Sequence, residues 1–230
     1  MIAMDEQLVA DIIQWDVRNW SAALYCWDHQ VDWPSVYECL GLGGRDGGPS
    51  LWLALKDKHV VCSDVEVNQG RAQRRHERHG ITSKIEYAVI DTLHVPYENR
   101  FDVIAFKSIL RCIGLDGRKD RQQQAVNQMH RALKPGGTLL FIENLSASIV
   151  RRLGLRAFIR WGTRWRYVAL DEMHEFLCRF NRVQMDTVGV LGALGRTERQ
   201  SDLLAMIDQA ALSRLLPDRW HYVVYGIAEK

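Results

Sequence analysis

The chain has 230 residues, 47% of them apolar and 25% charged, the balance of an ordinary folded protein, which excludes a disordered or fibrous chain. That length exceeds a typical domain and falls short of two, so a single core with decorations is expected. Thirty Lys and Arg against 28 Asp and Glu leave a formal net charge of +2, too weak a field to make nucleic acid the default partner.

In chain order, residues 1–33 concentrate Trp15, Trp20, Tyr25, Trp27 and Trp33. They are too few for a domain and are expected to form a Trp-rich helical cap over a ligand, ahead of one domain spanning 34–230. The first residues carry acids where a secretory signal carries bases, and no run of about 18 apolar residues exists to cross a bilayer. The five cysteines (26, 39, 62, 112 and 178) are odd in number and never arranged as CxxC. They suggest neither a disulfide framework nor a zinc site, and a reducing cytoplasm is the expected location.

From about residue 36 to 145, short β-branched runs alternate with helix-like segments. The alternation predicts strands over 36–42, 59–63, 84–89, 101–106 and 138–143, apolar enough for a parallel sheet buried on both faces. Helices are predicted over 49–55, 67–79 and 118–133, punctuated by the glycine cluster, Gly80 and the turn Lys134-Pro135-Gly136-Gly137. Beyond the fifth strand come an arginine-rich segment, a helix over 171–180, a strand over 182–190, a helix over 198–215 and a last strand over 222–228. The segment 146–181 reads as an insertion on the substrate side. The fold class expected is α/β: a Rossmann-like three-layer sandwich with a mostly parallel seven-stranded sheet and an antiparallel C-terminal edge strand.

The sequence Gly41-Leu42-Gly43-Gly44-Arg45-Asp46-Gly47-Gly48-Pro49-Ser50 joins a predicted strand to a predicted helix, where missing side chains let backbone approach a ligand. A glycine-rich surface turn would look the same. Asp64 ends the second strand 21 residues after Gly43, near the roughly 20-residue offset at which an acid accepts from ribose hydroxyls. The bland reading of Asp64 is a cap for the helix that follows.

With Ile90-Asp91 ending the third strand, Pro96 to Phe101-Asp102 leading into the fourth and Leu133-Lys134-Pro135-Gly136-Gly137 before the fifth, the arrangement resembles the class I S-adenosylmethionine-dependent methyltransferases over residues 36–145. The resemblance implies S-adenosyl-L-methionine as cofactor and S-adenosyl-L-homocysteine as its product. It implies that Gly43, Gly44, Arg45 and Gly47 line the methionine and ribose portions and that Asp64 and Val65 meet the ribose. Asp91 would contact the adenine amino group, Ile90 and Thr92 would flank the base, and Lys107 and Ser108 would close the site. Two positions depart from the family pattern: Gly41 stands where an acid usually faces the donor's ammonium group, which leaves that group to main-chain carbonyls, to Glu38 in a shifted register, or to weak binding, and Arg45 stands where glycine is common. Closer still is a subset with a Gly-Gly-Arg-x-Gly-Gly loop. A nicotinamide-type Rossmann oxidoreductase and a non-catalytic nucleoside-binding module are the rival readings of the same loop and acid.

A sulfonium donor brings its own electrophilic methyl group, so the protein has to align a nucleophile and remove a proton. In open α/β sheets the ligand lies at the carboxyl ends of the strands, which nominates Lys107, Ser108, Arg111, Glu143 and Asn144. Glu143 is the leading candidate base, with a structural carboxylate paired to an arginine as its alternative; Lys107 and the cap residue His29 are the other catalytic candidates. Lys107 stands where a metal-dependent enzyme would need an anionic ligand, and His94, His130 and His174 form no pair on one helical face, so no metal is expected. Six arginines at 151, 152, 156, 160, 164 and 166 interleave with Phe158, Trp161 and Trp165. They suit an anionic group on the substrate, an anionic membrane surface, or a solvated helix face. Trp20, Arg164 and Trp165 join Arg111 and Asn144 as candidate substrate contacts. Lys107-Ser108-Ile109-Leu110 replaces the Asn-Pro-Pro-Tyr signature of amine methylation on a nucleic-acid base. The expected acceptor is therefore a small molecule, anionic or glycan-like, with peripheral membrane contact left open.

Overall fold

The structure, a computed structural model, describes residues 5–43, 45–66, 70–146, 165–195, 197–212 and 215–230. Seven strands form one sheet: β1 (Glu38–Leu42), β2 (His59–Asp64), β3 (Ile85–Val89), β4 (Phe101–Lys107), β5 (Leu133–Asn144), β6 (Arg182–Val188) and β7 (Val223–Glu229). Their order is β3-β2-β1-β4-β5-β7-β6. The first five are parallel, and β7 runs antiparallel to both β5 and β6. The antiparallel strand thus lies one place in from the rim, and β6 is the edge.

Successive residues of a strand point to opposite faces, and the central strands are apolar on both. In β5, Leu140 and Ile142 enter one core cluster while Leu139 and Phe141 enter the other. On the first face lie α1 (Glu6–Ile13), α3 (Ala22–Gln30) and α4 (Gly48–Leu55), joined by α2 (Val17–Trp20). On the second lie α7 (Lys119–Ala132) and α8 (Leu170–Phe176), with the short α6 (Leu110–Ile113) at its upper end. The helix α5 (Gly70–Arg78) follows β2, and α9 (Glu198–Ile207) follows β6.

The Trp-rich segment, expected as a cap, is a layer of the domain. Ile12, Ile13, Trp20, Ala23, Leu24 and Trp27 belong to the same buried cluster as Trp52 and Val103, and Trp27 Nε1 donates to the Gly226 carbonyl at 3.0 Å. Only its α1–α2 end reaches the carboxyl rim of the sheet. The predicted helix over 198–215 breaks at residue 208 into a π-helical turn, Asp208–Leu212. Asp208 is buried there because its carboxylate accepts the N–H groups of Val190, Leu191 and Gly192 at 2.9 to 3.0 Å. The turn before the fifth strand is absorbed into β5, whose register with β4 shifts between Phe101 and Val103.

Candidate functional site

The parallel register brings the ends of β1, β2, β3, β4 and β5 to one rim, because Gly41 pairs with Cys62 and Ala105, Asp64 with Val89, and Lys107 with Ile142. Sheet order reverses direction between β1 and β4, and the crevice of a doubly wound sheet opens at such a point.

The glycine loop leaves β1 there. Gly43 and Gly47 hold φ of +62° and +72°, a region that side chains other than glycine adopt at a cost. Gly41 is glycine for a different reason: a Cβ on it would stand 2.1 Å from Ser50 Oγ, so α4 seats directly on β1. A side chain at this position would have to displace the Ser50 hydroxyl. Arg45 is exposed, and Gly44 lies outside the described residues.

Asp64 is half-buried, and its Oδ1 accepts the N–H of Glu66 at 3.1 Å. The carboxylate closes a local turn, and its Oδ2 has no hydrogen bond among the described residues; residues 67–69, where the helix it was alternatively expected to cap would begin, lie outside them. Val65 beside it is exposed. Asp91 accepts from the Leu93 N–H at 2.9 Å and faces His94 Nδ1 at 3.1 Å. The main-chain bond in particular holds its carboxyl below the usual range. Ile90 and Thr92 on either side are buried.

At the end of β4, Ser108 adopts φ +55°, a strained conformation for a residue with a Cβ. Its N–H donates to Ile142 at 2.8 Å and its Oγ accepts from Asn144 Nδ2 at 2.7 Å, so β4 and β5 fix it from one side. Lys107 Nζ lies 4.9 Å from the centre of the buried Trp20 ring and has no hydrogen bond or ion pair among the described residues. Desolvation, reinforced by Arg111, pulls the ammonium down to about 8, against the opposing charges of Glu143 and Asp46. Glu143 is fully buried. Its Oε2 accepts the Leu110 N–H at 2.7 Å and its Oε1 the Asn144 N–H at 2.8 Å, and desolvation still pushes it up to about 7. Its partners among the described residues are main-chain amides that tie α6 to β5; the arginines at 151, 152, 156, 160 and 164, expected as its alternative partners, lie outside the described residues.

Arg111 on α6 stacks its guanidinium 4.2 Å from the Trp165 ring. The chain beside Trp165 is held there by Gln122, whose Nε2 donates to Leu110 O at 2.8 Å and Arg166 O at 3.0 Å. Arg164 falls outside the described residues, as does the rest of 147–164. His29 is set apart from all of these. It is exposed at the foot of α3, bonded to Tyr25 O, close to the Lys56–Asp28 pair at the far end of α4. The amino-terminal side of the sheet is the wrong rim for chemistry.

Sequence reading missed a second wall of the site. Asp16, at the turn between α1 and α2, accepts from the Tyr222 hydroxyl and from Asn19 Nδ2, and its own N–H donates to Glu198 Oε1 at 3.2 Å. No local signal marks these residues, because they meet only when β7 enters the sheet. Among the described residues no group of three His, Cys, Asp or Glu is disposed to hold a metal.

Comparison with known proteins agrees with this geometry. Residues 40–141 match the methyltransferase domain family. The ubiquinone/menaquinone biosynthesis C-methyltransferase UbiE of Methylococcus capsulatus is 35% identical over 86 residues, 36% of this chain and 32% of that protein, so the chain matches about a third of its curated relative. Among solved structures, a Pyrococcus horikoshii OT3 protein aligns with TM-score 0.62 at 13% identity, covering 91% of this chain and 87% of that one. The N-methyltransferase NodS of Bradyrhizobium japonicum, solved with S-adenosyl-L-homocysteine, aligns with TM-score 0.59 at 18% identity, covering 91% and 84%. The phosphoethanolamine N-methyltransferase 2 of Haemonchus contortus, solved with S-adenosyl-L-methionine, aligns with TM-score 0.57 at 18% identity, covering 92% and 52%. The match to the methyltransferase domain family thus spans residues 40–141, and the likeness to the solved structures is one of fold.

Proposed function

We propose that the protein transfers a methyl group from S-adenosyl-L-methionine to a small-molecule acceptor. The observation that carries this reading is the convergence, at one rim, of a glycine-rich loop with two positive-φ glycines, a half-buried Asp64 with one oxygen unspent among the described residues, and a desolvated Lys107 beside Glu143. When bound, the donor supplies an electrophilic methyl group. Gly43 and Gly47 let the loop backbone approach it, Asp64 accepts from the ribose hydroxyls, and Asp91, Ile90 and Thr92 frame the base. Val65 and Ser108 border the same pocket.

The acceptor we propose carries negative charge or sugar-like hydroxyls. Arg111 supports the first and the Trp165 ring the second, because guanidinium groups fit oxyanions and indole faces stack on sugar rings; Trp20, expected as a substrate contact, is buried in the core. Asn144 is fixed by Ser108 at the edge of this slot. Lys107 takes the acceptor's proton: its lone pair, once free, has no competing partner among the described residues, whereas both oxygens of Glu143 are engaged by amides. Lys107 also stands where a metal-dependent enzyme would place a carboxylate, so the proposed reaction is metal-independent. The reading places the chain in a reducing compartment, and its five unpaired cysteines support that.

The test is calorimetry with S-adenosyl-L-homocysteine. Asp64→Ala should weaken binding about ten- to a hundredfold, the loss of a charged hydrogen-bond acceptor. Equal affinity in variant and parent would remove Asp64 from the site, and no binding to the parent would leave the fold without the proposed activity.

A further inference from the structure

His76 lies on α5, outside every motif that points to the donor. It is fully buried, with Nε2 2.9 Å from the Gly47 carbonyl oxygen and Nδ1 2.7 Å from the Tyr87 hydroxyl. The two rings stack with centroids 5.7 Å apart. A carbonyl only accepts, so Nε2 carries the proton and Nδ1 accepts from Tyr87; one neutral tautomer satisfies both partners. Desolvation lowers the imidazole's pKa and keeps it in that form, while burial pushes the Tyr87 hydroxyl up to about 12, so it stays a donor.

The neighbouring residue does the same to the neighbouring carbonyl: Arg75 Nη1 donates to Asp46 O at 2.6 Å. Two consecutive residues of α5 therefore hold two consecutive carbonyls of the glycine loop. In a trans peptide the N–H points opposite to the C=O. Turning the Asp46 and Gly47 carbonyls toward α5 turns the N–H groups of Gly47 and Gly48 away from it, and neither N–H has an acceptor among the described residues. The clamp is tight, because a Cβ on Gly47 would come within 2.5 Å of His76 Nε2. On the other side α1 closes in, with the Ile12 carbonyl 2.1 Å from where a Gly48 Cβ would stand. The helix that carries the clamp also follows Asp64 in the chain, so the two elements proposed to grip the nucleoside are joined through it.

We propose that His76 is a positioning residue for the donor, holding the glycine loop in the orientation that presents its free N–H groups to S-adenosyl-L-methionine. The inference rests on the donor reading given above. A histidine serving the core alone would affect folding and leave the affinity of folded protein untouched.

The experiment compares His76→Leu, His76→Gln and Tyr87→Phe with the parent by calorimetry with S-adenosyl-L-homocysteine, by thermal melting, and by hydrogen exchange of amides 45–48. Glutamine retains a donor at the reach of Nε2. His76→Leu should weaken binding about tenfold, the worth of one buried hydrogen bond, and His76→Gln should return it to within about threefold of the parent. Tyr87→Phe, which keeps the ring, should fall between them and speed exchange in the loop. In turnover assays the donor KM should rise while kcat at saturating donor holds. The proposal is overturned if folded His76→Leu binds within about twofold of the parent, if glutamine is as weak as leucine, or if loop exchange is unchanged in Tyr87→Phe. A parent that fails to bind the product sinks the donor reading itself, and with it the proposed role of His76. The exchange data then report separately whether the clamp exists.

Discussion

Asp16 sits in a left-handed turn at φ +49°, buried between the Tyr222 hydroxyl and Asn19, with Glu198 and Asp208 close enough to repel it. Desolvation first, and those acids after it, push its carboxyl up to about 7. The unfolded chain releases this proton near pH 3.9, so between about 4 and 7 folding takes up a proton and the group's contribution to stability falls as pH rises. Thermal melts of Asp16→Asn and parent from pH 5 to 8 should show the variant gaining on the parent as pH increases. A difference that stays constant over that range would refute the assignment; Glu143 and Lys107 titrate nearby but are common to both proteins. Lys107 gives the opposite kind of signal, in rate. If its neutral form accepts the acceptor's proton, kcat rises with pH through about 8, and Lys107→Met should lower kcat by about 10²- to 10⁴-fold with donor affinity kept. A Lys107→Met variant that retains the parent's pH–rate profile would assign the proton transfer elsewhere.

Among the elements, the entry to β4 shows how a recognisable pattern can carry structure and no chemistry. Asp102 Oδ2 accepts the N–H groups of Tyr37 and Glu38, each at 2.9 Å, and Oδ1 pairs with Lys134 at 2.6 Å. It thereby ties the starts of β1, β4 and β5 together at the rim opposite the donor site. Asp102→Ala should destabilise the protein by about 1–3 kcal/mol, since two main-chain donors lose their acceptor, while S-adenosyl-L-homocysteine binding by the folded protein stays near the parent value. Urea denaturation and calorimetry read the two quantities separately, and a large loss of affinity without loss of stability would contradict the placement. The helix boundaries shifted for equally local reasons: α9 ends where Asp208 turns inward to bind three amides, which its sequence Met-Ile-Asp-Gln-Ala does not announce.

On the scale of the molecule, the alternating strands were readable because β1, β4 and β5 are apolar on both faces, and a candidate site could be nominated because glycines and acids fall at strand ends. The second wall was not readable: Tyr222 meets Asp16 across 206 positions, a proximity created only by sheet order. Nor was the place of residues 1–33, since tryptophans suit a lid and a core alike. In the fold they fill the core, and Trp27, Ile12 and Ile13 are almost wholly enclosed. Removing 1–33 should therefore abolish cooperative unfolding of the remainder, as seen by circular dichroism. Trp27→Ala should destabilise by about 3–5 kcal/mol, as expected for a buried aromatic. A remainder that melts sharply would restore the cap as a separate unit.

The position of β7 has a kinetic consequence. It is the strand that emerges last from the ribosome among the seven, yet it must slide between two that were made earlier. Until it arrives, β5 and β6 each present an open ladder of unpaired amides, and such ladders invite pairing with other chains. Nascent chains stalled before residue 223 should therefore engage chaperones more than completed ones. The slowest step of refolding should be the threading of that single ribbon.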